Sequence, residues 1–432
     1  MSSKPNILVV GAGYVGLATA VHLAAKRFPV TVVEKNRIIV DGLNKGQLHF
    51  RENDLARALR ETVRSSRLRT ILPSKIAYEK ADLIFIAIDS VNRGDWKMRL
   101  GAFERMANWI GGCNRRTVAT VVLKSTNVVG FADQFRQLLE STPHGEKVRL
   151  VVNPEFLREG CAYQDTVRPW RIILGSKEKR DATRLLKIYN KVYSQSIPIV
   201  HTDIRSAELI KLASNVYLAH RLAFIHEITD FARIEQLDLS SIQRGIGLDE
   251  RIGLDYFTPG LGFGGSCLPK DCRLINSAES ETNFTFETAQ TAMNINDRLL
   301  EHLVENLKNR LRPLKRKKIA ILGAAFKPEV DDTRGSRAVK LAIRLRRSGA
   351  RVSLYEPLLP NAEKVFEGNM PLVHDLDEAL RGASALVIGT AHKQFRRLKP
   401  VHCASLMKKR LVVDYFGILN RRSWEKAGFE FV

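Results

Sequence analysis

"NILVVGAGYVGLATAVHLAAKRFPVTVVEKN", residues 6–36, decides how the chain begins to fold. Ile7 to Val10 is an unbroken apolar run, the pattern of a parallel strand buried on both faces. Gly11, Gly13 and Gly16 follow at GxGxxG spacing, and a helical pattern leads to a second buried strand, "VTVVE", ending at Glu34. This strand–loop–helix–strand context is what gives the glycines meaning. Gly11 makes the turn, Gly13 lets the backbone approach a pyrophosphate at the helix N-terminus, and Gly16 lets helix and strand pack closely. Tyr14 and Val15 complete the loop. Glu34 stands where an acid holds the adenine ribose hydroxyls and repels the extra phosphate of NADP. The unit predicts NAD binding, and Lys35 and Arg37 beside Glu34 keep NADP open. "ADLIFIAID" (81–89) and "TVATVVLKST" (117–126) read as further strands of the same sheet. Thr126 then ends a strand at the carboxyl edge, where such sheets bind ligands.

The last third repeats the plan. "KKIAILGAAF" (317–326), "ARVSLYEP" (350–357) and "ASALVIGTA" (383–391) match the first strands in order and character. The later glycines of the fingerprint are missing, since Ala325 and Phe326 follow Gly323 and Ala324. That predicts a poor dinucleotide site that can hold another phosphorylated ligand at the strand ends. Between the halves, residues 202–237 contain neither Gly nor Pro. They predict one helix of about 50 Å at roughly 1.5 Å per residue, capped by Thr202 or Asp203. Such a spine joins two domains and is a candidate dimer contact. The expected fold is α/β, two Rossmann-like doubly wound domains joined by a long central helix. Expected boundaries are 1–201 for the NAD-binding domain, 202–305 for a central helical domain with a cysteine loop, and 306–432 for a second Rossmann-like domain.

Bulk properties narrow the class. The chain has 432 residues, 44% hydrophobic and 27% charged, ordinary for a soluble globular protein. No apolar run reaches the roughly 18 residues of a membrane span. The N-terminus lacks a signal-peptide pattern, so a cytoplasmic location is expected. The five cysteines are sparse and unpatterned, which argues for reduced thiols and against a disulfide framework or a metal site. The net charge of +23 draws anionic ligands. Its basic clusters, such as "PLKRKK" (313–318), lie mostly in the last third. They carry no nucleic-acid module signature, so no nucleic-acid partner is expected.

Three stretches can carry chemistry. Lys211 and Asn215 are four apart on one helix face among apolar neighbours. They are either a snorkelling lysine with a solvated amide, or a charge and a dipole aimed at developing negative charge. "NPEFLREG" (153–160) reads as a helix start, with Asn153 as cap and Pro154 first, which places Glu155 and Glu159 on one face. In "GFGGSCLPKD" (262–271), Cys267 sits behind glycines and ahead of Lys270 and Asp271. A thiolate there can add to an aldehyde, and hydride loss then leaves a thioester for water to open. A buried inert cysteine is the alternative.

Together these pieces resemble the nucleotide-sugar 6-dehydrogenases, the UDP-glucose/GDP-mannose dehydrogenase family. The resemblance spans nearly the whole chain. It rests on "GAGYVG", "LNKG" (43–46), "KST" (124–126), "NPEFLREG", "AELIKLASN" (207–215), "RIG" (251–253), "PGLGFGGSCLPKD" (259–271) and "AFKPEVDDTR" (325–334). It implies oxidation of a sugar CH2OH to a carboxylate with reduction of two NAD. Cys267 would be the nucleophile, Lys211 and Asn215 would stabilise oxyanions, and Asp271 and Thr126 would position water. Glu155 would assist proton transfer and Glu159 would support the water network. The resemblance further implies that Phe156, Leu157, Phe263, Gly264 and Lys327 contact the sugar nucleotide, and that Ser90 and Arg334 contact the cofactor. Arg251 resembles an arginine lent by a partner subunit, which implies a homodimer.

The chain also departs from the family's pattern. Ser90-Val91 replaces a Thr-Pro pair, Asn127-Val128 replaces Val-Pro, and Arg334-Gly335-Ser336 replaces Arg-Glu-Ser. Phe416 stands where the UDP-glucose members often carry arginine, a feature of the GDP-mannose members. Ser266, where N-acetylhexosamine members have His, disfavours that branch, and "RIG" favours UDP-glucose. UDP-glucose is therefore the expected substrate, with GDP-mannose, a binding protein without turnover, or a two-electron alcohol dehydrogenase as alternatives.

Overall fold

The structure, a computed structural model, describes residues 4–91, 98–115, 117–277, 284–365 and 367–432. Contacts divide the chain into two compact units, one running up to Ala213 and the other covering Ser214–Asn276 and Phe284–Val432.

The first unit holds an eight-stranded sheet of β1 (Ile7–Val10), β2 (Val30–Val33), β3 (Leu68–Ile71), β4 (Leu83–Ile86), β5 (Ala119–Leu123), β6 (Val148–Val152), β7 (Ile172–Gly175) and β8 (Ile199–Thr202). The spatial order is β3-β2-β1-β4-β5-β6-β7-β8. Every neighbouring pair is parallel except β6 with β7. β1 pairs with β2 on one side and β4 on the other, so the winding reverses there, at the point where doubly wound sheets bind ligands. The apolar run of β1 follows from its two covered faces. Ile7 and Val9 join a core with Leu17 and Leu23, while Leu8 and Val10 join another with Phe103 and Ile110.

The second unit holds a seven-stranded sheet of β9 (Lys318–Leu322), β10 (Arg351–Tyr355), β11 (Lys364–Val365), β12 (Met370–Val373), β13 (Ala385–Ile388), β14 (Leu411–Val413) and β15 (Glu430–Phe431). Its order, β11-β12-β10-β9-β13-β14-β15, reverses beside β9 as the first does beside β1. Only β11 with β12 is antiparallel.

The long central helix is Ile204–Ile234, 31 residues, or about 46 Å at roughly 1.5 Å per residue. Asp203 caps it, its Oδ1 accepting from the Ser206 amide at 2.8 Å, while Thr202 ends β8. Gln236 takes a left-handed φ of 55° and the Leu237 amide returns to the Ala232 carbonyl at 2.7 Å, which stops the helix. The architecture is the expected pair of Rossmann-like domains with a long central helix. Among the described residues, no helix is long and apolar enough to cross a membrane.

Candidate functional site

In the first unit, the three fingerprint glycines separate by role. Gly11 has φ +102°, and a Cβ there would meet the Ala87 carbonyl oxygen at 2.4 Å. A Cβ on Gly16 would meet the Gly11 carbonyl oxygen at 2.0 Å. Both are demanded by the fold itself. Gly13 is different, because a Cβ there would meet nothing within 4 Å. Open space at the helix N-terminus fits a diphosphate that needs close backbone approach. Helix Tyr14–Ala25 starts at that glycine, with no side-chain cap competing for its amides. Glu34 holds the loop's entry, accepting from the Ala12 amide at 3.3 Å and the Asn36 amide at 3.0 Å. The Tyr14 ring lies 4.0 Å from that of Phe50, and half-buried Val15 continues the first turn. Ser90 is buried, and its hydroxyl donates to the Thr126 carbonyl, joining the loops that follow β4 and β5. The residues present therefore fit NAD.

Beyond β6 the expected helix does not form. Residues 153–160 are irregular, and the helix begins only at Ala162. Asn153 cannot cap because its side chain is taken elsewhere. Its Oδ1 accepts from Lys124 Nζ at 2.9 Å and Tyr189 OH at 2.6 Å, and its Nδ2 donates to the Ile173 carbonyl at 2.8 Å. Glu155 folds its carboxylate onto the Leu157 amide at 2.7 Å. Arg158 clamps Asp165 through its own amide and guanidinium, and Glu159 is half-buried in the turn before Gly160. Glu155 and Glu159 are thus set by a loop, not by one helix face.

That loop meets the long helix within the same unit. Lys211 is buried, and its Nζ lies 3.3 Å from Glu155 Oε1 and 5.2 Å from the Phe156 ring centroid. Arg171 covers the same ring at 4.0 Å. Burial pulls the Lys124 ammonium down to about 8, with Glu155 opposing the pull and Lys211 adding to it. Two buried ammonium groups therefore act on one carboxylate. Lys124 and Asn153 lie inside "KST" and "NPEFLREG", yet neither stood among the candidates. A charged side chain at the end of a buried strand was the available signal.

In the second unit, Cys267 immediately precedes helix Leu268–Ser277, and its carbonyl accepts from the Asp271 amide at 2.8 Å. The thiol thus stands at the N-terminus of that helix. Cys267 is exposed, with the Ser266 hydroxyl 3.6 Å from Sγ. Burial pushes the Cys272 thiol up to about 12 and that of Cys403 to about 11, so those two suit structure, not attack. Asp271 is 1% exposed, and its two oxygens take Lys270 Nζ and Asn215 Nδ2, each at 2.5 Å. Asn215 and Asp271 thereby tie the cysteine-bearing helix to the long helix.

The glycines ahead of Cys267 serve packing. A Cβ on Gly262 would meet Asn296 Oδ1 at 2.3 Å, one on Gly264 the Gly335 carbonyl oxygen at 2.4 Å, and one on Gly265 the Phe326 ring at 2.7 Å. Asn296 grips the backbone of buried Phe263 in both directions, at 2.8 and 2.9 Å. Arg337 donates to the Leu261 carbonyl at 3.1 Å. Lys327 lies 5.7 Å from the Phe326 ring centroid, and Arg334 is held by Asp332 in its own loop. Arg251 extends into solvent, forked onto Asp249. No cluster of metal-ligating side chains occurs among the described residues.

Three models of one family match the chain. They are the NAD binding domain (residues 5–193), the central domain (205–298) and the UDP binding domain (320–421) of the UDP-glucose/GDP-mannose dehydrogenase family. The chain is 35% identical to the UDP-glucose 6-dehydrogenase of Rhizobium meliloti over 99% of its own length and 98% of that protein. It superposes on a UDP-glucose dehydrogenase from Pyrobaculum islandicum with a TM-score of 0.88 at 32% identity, covering 98% of this chain and 96% of that one. A UDP-D-ManNAc dehydrogenase from Pyrococcus horikoshii shares the fold at 24% identity, with a TM-score of 0.85 and coverage of 99% and 98%. With a glycine loop suited to NAD and matches along nearly its whole length, the chain belongs to the UDP-glucose/GDP-mannose dehydrogenase family, the NAD-dependent nucleotide-sugar dehydrogenases.

Proposed function

We propose that the chain oxidises UDP-glucose at C6 to UDP-glucuronate through a thioester on Cys267. The observation that carries the four-electron reading is an exposed thiol at a helix N-terminus beside a buried, doubly held Asp271. The names of the Rhizobium and Pyrobaculum relatives support UDP-glucose. NAD, held by the Gly11–Gly16 loop and Glu34, supplies the hydride acceptor for both oxidations. Lys211 and Glu155, 3.3 Å apart, manage the proton of the sugar hydroxyl. Cys267 Sγ bonds to the aldehyde carbon, and the oxygen of that adduct is stabilised by the Lys211 charge and the Asn215 amide. Loss of the second hydride leaves the thioester. Water oriented by Asp271 and Thr126, with Glu159 behind it, breaks the C–S bond and releases the carboxylate and the free thiol.

Phe156, Leu157, Phe263, Gly264 and Lys327 are assigned to the sugar nucleotide, and Ser90 and Arg334 to the cofactor. Arg251 is assigned to a partner subunit's substrate, and its exposure supports that assignment. A GDP-mannose substrate is the second reading, motivated by Phe416, whose ring fills the space beside Gly260. The test is NADH formed per sugar consumed, in wild type and in Cys267→Ser. Two NADH per UDP-glucose are expected, with acid formation falling roughly a thousandfold in the variant. One NADH, or an unchanged variant, refutes the thioester route, and preferred turnover of GDP-mannose refutes the substrate.

A further inference from the structure

The second sheet carries its ligand-facing turns at the carboxyl ends of its strands, at Gly323, Glu356 and Thr390. Its opposite edge, where the parallel strands begin, is crowded with cations. Lys315 and Arg316 precede β9, Arg351 opens β10, Arg381 precedes β13, and Lys408 and Arg410 precede β14, all exposed. Backbone hydrogen bonds make these starts contiguous. The Arg316 amide donates to the Gly349 carbonyl at 2.9 Å, Arg351 to Lys317 at 2.8 Å, Ser384 to Lys318 at 2.7 Å and Lys408 to Ala383 at 2.8 Å. The row crosses neighbouring strands spaced about 4.8 Å apart, a width of roughly 15–20 Å.

The cations also cover the thickness of the domain. Arg346 and Arg347 end a helix packed on one face of the sheet with Ile319 and Ile321. Arg381 and Lys408 follow helices packed on the other face with Ala320 and Leu322. Favourable placement at helix C-termini accounts for Arg346 and Arg347. It does not account for Lys315, Arg316, Arg351 and Arg410, which lie in connections or at strand starts. Of the acids at this edge, Glu430 is already paired with Arg310, while Glu378 is exposed. Lys315, Arg316, Arg351 and Arg410 make no ion pair among the described residues.

We propose that this edge of the second domain is a docking face for an anionic lipid bilayer. Cations spread both along the row of strand starts and across the two faces of the sheet match a sheet of headgroups better than a linear strand. Among the described residues the edge presents no exposed aromatic ring on which a base could stack. Among the described residues beyond 306, Val401 is the one exposed large hydrophobic, and it begins the helix whose far end leads to Lys408. The contact is therefore electrostatic, reversible and free of insertion. Because the ligand-facing turns lie at the other end of the strands, a docked chain keeps its reaction.

The test is co-sedimentation of the full chain with vesicles of phosphatidylcholine alone or mixed with phosphatidylglycerol, at low and high salt. Binding is expected only to the mixed vesicles and only at low salt. Combining Lys315→Glu, Arg316→Glu, Arg351→Glu and Lys408→Glu should lower it roughly tenfold or more. NADH formation without vesicles and the unfolding midpoint should stay unchanged. A matching set of Gln replacements serves if the Glu set does not fold. Absence of wild-type binding, or equal binding by the variants, overturns the proposal. Duplex DNA displacing the chain from vesicles at equal charge concentration also overturns it, and gives the face to nucleic acid.

Discussion

The two sheets share one plan around their first strand, and a difference that bears on ligand choice sits at one turn. In both, a glycine ends the first strand with positive φ, +102° at Gly11 and +95° at Gly323. Each donates its amide to the end of the neighbouring strand, to Val33 at 2.9 Å and to Tyr355 at 2.8 Å. In both an acid closes that second strand. Glu34 is half-buried and reaches one loop amide at 3.3 Å. Glu356 is buried and takes two, from Ala324 at 2.7 Å and Ala325 at 2.8 Å, while His392 packs behind it. The second copy has thus spent on its own carboxylate the amides that the first leaves near Gly13. It starts its helix late, at Arg337, after a loop that carries Lys327 and Arg334. Topology survives such a change because the strands and their turn glycines hold it, whereas ligand choice lies in the few residues between strand and helix.

The largest effect that can break this contrast is at Gly13. Gly13→Val places a side chain where nothing of the protein lies within 4 Å. The NAD KM should rise roughly a hundredfold while stability falls by at most about 1 kcal/mol. An unchanged KM would show that the open space is not the cofactor's. Next come the glycines the fold demands in both copies. A Cβ on Gly16 would meet the Gly11 carbonyl oxygen at 2.0 Å, and one on Gly389 the Gly323 carbonyl oxygen at 2.3 Å. Gly16→Ala and Gly389→Ala should each cost about 2 to 3 kcal/mol in denaturant titrations, and a negligible cost at either would show that the turn glycine it packs against is not tightly held.

Acid sharpens the contrast further. Burial, aided by Lys26, holds His22 at about 4 against its ordinary 6.5. The unfolded chain therefore takes up the proton first, and stability falls as pH drops below 6.5, by about 2 kcal/mol at pH 5. His226 in the long helix, held at about 3 by burial and Arg337, adds its own loss. Glu356 responds with the same sign but in a lower pH window. Burial alone would raise it, but the hydrogen bond and charge of His392 and the nearby amides leave it below its ordinary 4.5. Its contribution is complete above that value and is lost only as pH falls below it. Glu208, pushed up to about 7 by burial, gains stability over the same interval, so the His22 loss is read in hydrogen exchange at pH 7 and 5 as the difference between wild type and His22→Gln, about 2 kcal/mol more at pH 5. The smallest effects are at the paired acids. Glu356→Gln should cost about 1 kcal/mol and leave NAD binding alone, whereas Glu34→Gln should raise the NAD KM about fivefold with little change in stability.

What the sequence revealed follows the same division. Gly11, Gly16 and the apolar strands were legible because local sterics and burial on both faces demand them. The long helix was legible because nothing interrupts it, and Asp203 supplied its start. The 153–160 segment was misread because Asn153 and Pro154 carry a helix-start signal whose side-chain partner, Lys124, lies 29 residues away. Tyr189, 36 residues off, was equally invisible. The glycines before Cys267 pack against Asn296, Phe326 and Gly335, partners that nothing in the segment itself announces. The capture of loop amides by Glu356 depended on His392, which no local pattern announces.

The interlock around Gly262, Gly264 and Gly265 has one more consequence. The segment leading to Cys267 is stitched to the 326–337 loop, whose Lys327 and Arg334 differ from anything in the first copy's three-residue turn. Under the proposed assignment of Lys327 to the sugar nucleotide and of Cys267 to attack, a change in that loop also moves the backbone that carries the thiol. On that assignment substrate preference and reaction rate are inherited together, and a lineage that drifts toward a new sugar nucleotide must retune the position of Cys267 along the way.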